Sequence, residues 1–96
     1  MPVSEVKAEA EKMDVDQLKA MATAYKDAIA AKKGDIEKVM AQLKEIPITK
    51  MMGEEAKGLK TDIDSLNKSI SALKEHFQIY YNKLKEKGGD LSGLEI

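Results

Sequence analysis

The chain has 96 residues and a net charge of −1, built from sixteen lysines, no arginine, seven Asp and ten Glu, with no Cys and no Trp. This length holds one domain. The absent cysteines exclude disulfide scaffolds, thiolate zinc sites and thiol catalysis. Near-neutral charge without arginine argues against a nucleic-acid binder, which needs a clustered basic face and bidentate side chains.

At the N-terminus, Val3, Val6, Ala10 and Met13 form a stripe offset from the one that follows. Asp14-Val15-Asp16-Gln17 has the form of a capping box, with Asp14 at the cap and Gln17 three residues on. Two readings follow: a separate short helix over about 4–13 with a restart at 15, or one helix running from 4 to 46. Met1-Pro2-Val3-Ser4-Glu5 has neither a basic nor an apolar leader region, so the chain as given is expected to carry no signal peptide. The compartment stays unknown, with the cytoplasm slightly favoured over an exported mature form.

From Val15 the apolar residues Leu18, Ala22, Tyr25, Ile29, Ile36, Val39, Leu43 and Ile46 recur at alternating spacings of three and four. That spacing predicts a helix over about 15–46 with one packed seam. Lys32 interrupts the stripe. Ile46-Pro47-Ile48-Thr49 ends it, because proline lacks the amide donor a helix interior needs. A turn at 46–49 follows, with Thr49 as the expected cap of the next helix.

The second rod, over about 50–87, has the most regular pattern in the chain. Leu59, Ile63, Leu66, Ile70, Leu73, Phe77, Tyr80 and Leu84 alternate four and three without a miss. Gly88-Gly89 stops it. Residues 88–96 are expected to form a mobile tail whose apolar Leu91, Leu94 and Ile96 rest as a frayed end on the hairpin; the alternative makes these three a linear docking motif for another protein.

Two long helices around a short turn make an antiparallel coiled-coil hairpin. A turn centred near 48 gives facing residues whose numbers sum to about 96. Lys32 then falls near Ile63, between Asp62 and Asp64, where an ion pair would fix register. A single seam leaves such a hairpin marginal, and Met21, Met40, Ile79 and Tyr81 flank it. The expectation is an all-α domain that self-associates through these residues into a bundle, as a dimer or larger assembly. The rival reading packs them on the N-terminal segment, as a three-helix monomer. A second functional reading is a rigid adaptor whose tail docks on a partner protein.

Reactive groups are sparse. His76, the one histidine, follows Leu73 at minus three, so the Glu-x-x-His pattern of bundle metal sites is missing. No phosphate-binding glycine loop or nucleophile elbow occurs. No catalytic residue, cofactor or metal is expected, and no apolar run approaches the roughly 18 residues of a membrane span. In length and mid-chain turn the chain is similar to small secreted helical hairpins of the WXG type. It has no Trp, however, and neither Tyr80 nor Tyr81 is followed four residues later by an acid. Type III needle subunits share a Pro-containing turn and prefoldin-like chaperones share hairpin coils, without a matching residue pattern. The residues identify no family.

Overall fold

The computed structural model describes residues 2–95. Those residues fold into three α-helices and a short 3-10 turn, without strands: α1 (Val3–Lys12), α2 (Val15–Lys44) and α3 (Glu54–Glu86), the last two packed along each other.

The break between α1 and α2 settles the two N-terminal readings. Gln17 N–H donates to the Asp14 carboxylate at 2.8 Å, and the Gln17 side chain accepts from Asp14 N–H at 3.0 Å. Two amides at the start of α2, with no intrahelical partner, are thus satisfied reciprocally. Replacing Asp14 by Ala is expected to cost about 1 kcal/mol, read as a fall in the chemical-denaturation midpoint. Asp14→Asn, which can still accept, is expected to recover most of it.

The turn is wider than the Pro47 signal suggests. α2 stops at Lys44, two residues early, and α3 starts at Glu54 rather than near 50. Between them Ile48–Lys50 closes a 3-10 turn, with Lys50 N–H on Pro47 O at 2.8 Å, and Gly53 N–H on Lys50 O at 2.9 Å. Thr49 lies inside that turn, and Gly53 is the residue that caps α3. The cause is local: once Pro47 is extended, the tight turn takes up Ile48, Thr49 and Lys50, so the chain needs Met51–Gly53 to swing back.

The side-chain contacts across the hairpin also sum to more than 96. Tyr25 stacks on Tyr80 with ring centroids 5.5 Å apart and meets the edge of His76 at 5.7 Å. A sum of 96 would place Ser71 there instead, about one and a half turns from His76 and about two and a half from Tyr80. Lys32 is half-buried, Asp62 and Asp64 are exposed, and no ion pair joins Lys32 to either among the described residues.

α3 ends as Gly88-Gly89 implies. Gly88 takes φ +75°, its N–H reaches Lys85 O at 3.1 Å, and Gly89 N–H reaches Leu84 O at 2.9 Å. This double bond caps the helix, and glycine bears the left-handed conformation at little cost. A β-carbon on Gly89 would collide with Leu84 and Val15, so the chain leaves the helix pressed against the core.

The core lies at one end of the molecule. Val6 and Ala10 of α1, Leu18, Ala22 and Ile29 of α2, Ile70, Phe77, Tyr80 and Leu84 of α3, and Leu94 of the tail form one cluster. Beyond it α2 and α3 continue to the turn as a two-stranded arm, where Ile36, Val39, Leu43, Leu59, Ile63 and Leu66 are only half-buried. The molecule measures 55 × 26 × 13 Å, so its thinnest dimension is about one helix. Its radius of gyration of 17.5 Å exceeds the roughly 12–13 Å of a compact chain this long.

Candidate interaction surface

At the base, both sides of the long hairpin are occupied by the chain's own ends. On one side α1 lies against the C-terminal half of α3. Lys83 bridges Glu11 at 3.5 Å and Glu86 at 3.3 Å. Its pKa is raised, first by the Glu86 hydrogen bond, against an opposing effect of burial, and then by the Glu86 and Glu11 charges. Lys87 Nζ donates to Glu11 O at 3.1 Å and to Met13 O at 2.6 Å, placing a cation on the terminal carbonyls of α1, where the helix dipole favours it. Tyr80, buried beneath, has its phenol pKa raised, by burial first and then by Tyr25 and Glu9.

On the other side lies the tail, which is folded back rather than free. Leu94 is 2 % exposed and belongs to the core, and Leu91 packs beside it. Lys19 Nζ donates to Asp90 O at 3.1 Å and Ser92 O at 2.5 Å, and Lys26 Nζ donates to Gly93 O. Asp90 organises the turn by accepting from Ser92 N–H at 3.0 Å and the Ser92 hydroxyl at 2.8 Å. Its pKa is lowered by these two bonds and then by Lys19. Apolar content explains the docking: Leu94 lies with Phe77 and Tyr81, and Leu91 packs against the same core. Ile96 lies outside the described residues.

The four flanking residues read from the sequence as contact candidates therefore separate. Ile79 faces α1, in a cleft lined by Lys7, Glu11, Asn82, Lys83 and Glu86. Tyr81 sits beside Phe77, with ring centroids 5.8 Å apart, and next to Leu94. Met21 lines a shallow apolar groove with Ala24, Tyr25, Ala28 and Leu73. Met40 alone stands clear of the core, 45 % exposed on the arm. The other large apolar side chains exposed among the described residues are Ile48 (92 %) and Met52 (81 %), both in the turn.

Neither turn residue occupies a seam position, and the heptad pattern passes over both. The sequence signal for Ile48 is an isoleucine directly after a proline that has already ended the helix. The capture of tail carbonyls by Lys19 and Lys26 has no such signal, because a lysine on a solvated face looks the same whether or not a carbonyl returns to it.

The cleft between α1 and α3 encloses about 190 Å³, below the roughly 300 Å³ at which small-molecule sites begin. His76 is half-buried and packs its ring against Tyr25. Among the described residues no three His, Asp or Glu side chains gather around a point where one cation would sit, and no helix is long and apolar enough to cross a membrane. The surface that remains is the bare arm with its apolar turn. Compared with protein families, curated proteins and solved structures, the chain matches none.

Proposed function

We propose that this chain is a non-catalytic structural module whose activity is self-association through helix faces, with the two-helix arm as the associating part. Surface area carries the reading. The chain leaves 6465 Å² accessible, against about 5,500 Å² for a compact protein of this mass. The surplus of about 1,000 Å² compares with the ~800 Å² that each partner contributes to a stable interface. The base has its own third helix and tail to cover it, so the surplus falls on the arm. The half-buried seam there and the exposed Met40, Ile48 and Met52 are the groups that gain from a second layer.

Mass in solution tests this. Light scattering or sedimentation from about 1 to 500 µM, the span in which modest interfaces form, is expected to show a rise from 10.6 kDa to twice that mass or more. A constant monomer mass across that range refutes it.

A further inference from the structure

We propose that the occupant of the arm is a second copy of this chain, docked in reverse orientation on the face that carries the tail. In this arrangement Ile48 and Met52 of each copy enter the other's groove between Tyr81 and Leu94. The proposal rests on the self-association reading and adds the face, the direction and the contact residues.

The two halves of the contact are both present in one chain. The donor is the turn, where Ile48 and Met52 are almost fully exposed on short, tightly bonded backbone. The acceptor is a groove at the base lined by Phe77, Gln78, Tyr81, Leu94 and Glu95, with the buried Phe77 and Leu94 as its floor.

The surface between them is continuous. Positions seven apart on a helix drift about 20°, so the α2 strip of Lys19, Lys26, Lys33 and Met40 turns by about 60° over its length, and Met40 lies at its far end, beyond the two lysines that hold the tail. On α3, the half-buried Ile63 lies two heptads before Phe77, with the buried Ile70 of the core between them. The arm therefore extends this face toward the turn with the exposed Met40 on α2 and the half-buried Ile63 on α3 as its apolar groups.

Direction follows from shape. The tail thickens this face at the base, so two copies stacked base on base would meet tail against tail. Reversing one copy lays arm on arm and brings each turn to the edge of the other's tail. A two-fold axis then makes the same contact twice and closes the assembly as a dimer. The α3 segment from Glu54 to Phe77 gives an overlap of about 35 Å, and two helices side by side about 20 Å of width. The projected footprint is about 700 Å², close to one partner's share of a standard interface. Residues 32–66 carry seven lysines and seven carboxylates, so two arms meet with no net repulsion to overcome.

The test compares the full-length chain with the double variant Ile48→Glu/Met52→Glu in sedimentation equilibrium, with helicity followed by circular dichroism. Both side chains face solvent, so helicity is expected to persist while the dimer weakens about ten-fold or more. The chain has no cysteine, which allows a second measurement with Met52→Cys and Gln78→Cys chains mixed under mild oxidation. The expected product is the mixed 52–78 dimer, far in excess of either homodimer. A wild-type dimer that survives the double glutamate variant and gives no mixed product overturns this docking while self-association stands. A wild-type chain that stays monomeric throughout overturns both.

Discussion

Replacing Tyr80 by Ala is expected to lower the thermal midpoint by on the order of 20 °C. Tyr80 is the largest of the fully buried side chains, is stacked on Tyr25, and sits where α1 and α2 both press on α3. Truncating a buried aromatic costs about 3–5 kcal/mol, as lost transfer energy and as a cavity that rigid helices cannot close. A domain of this size holds about 5–14 kcal/mol in all, and each kcal/mol moves the midpoint by about 4–8 °C. Ile63→Ala on the arm is expected to cost only about 1–2 kcal/mol, because that side chain is half-buried already. The two variants are best compared at one low protein concentration, since association would raise both apparent midpoints. Equal losses would mean that the base holds no privileged core. Hydrogen exchange offers an independent view: amides near Tyr80 are expected to open only with global unfolding, and those near Ile63 more easily.

The difference between base and arm also shows what periodicity reveals and what it conceals. Local rules sufficed at several places where the partners are close in the chain, though not at Thr49, which the 3-10 turn takes up while Gly53 caps α3. The Asp14–Gln17 box and the Gly88-Gly89 stop are such cases, for the groups involved lie within a few residues of each other. So are the two amphipathic stripes, since a packed seam follows directly from helical spacing. Register was harder. It depends on the loop length, and a proline marks where α2 stops without saying how many residues the chain needs before α3 can start. The gap from Lys44 to Glu54 centres on 49 and moves the facing sum by only about two; the reach of the Tyr25 ring to His76 and Tyr80 goes beyond it. The identity of the covering layer was harder still. Ile79 and Tyr81 look like an outer face on any helical projection, and they are. What covers them is the chain's own N-terminal helix and tail, brought there across more than sixty residues by contacts of Lys83, Lys87, Lys19 and Lys26 with which no sequence pattern is associated.

Ending the chain after Gly89 is the second variant with a large expected effect, about 2–4 kcal/mol of stability. The deletion removes Leu94, which is buried against the core, and the partial cover that Leu91 gives, together worth about that much in transfer energy. It also strips Lys19 and Lys26 of the carbonyls they hold, although hydrogen bonds this exposed contribute little each. Leu94→Ala is therefore expected to reproduce most of the loss, and Lys26→Met only a small part. The reverse ranking would mean that charge rather than burial fixes the tail. The tail should also respond to acid. Asp90 has a lowered pKa, so its contribution is present above the ordinary carboxylate range and fades as pH falls below it. Asp90→Asn should remove that dependence at a small cost. Loss of the tail reaches beyond stability, for Leu94 forms part of the floor of the groove that Tyr81 lines. If that groove receives the turn of a second copy, the truncated chain should be both less stable and more weakly dimeric. A truncation that lowers the midpoint but leaves the dimer intact would separate the two roles and move the contact off the groove.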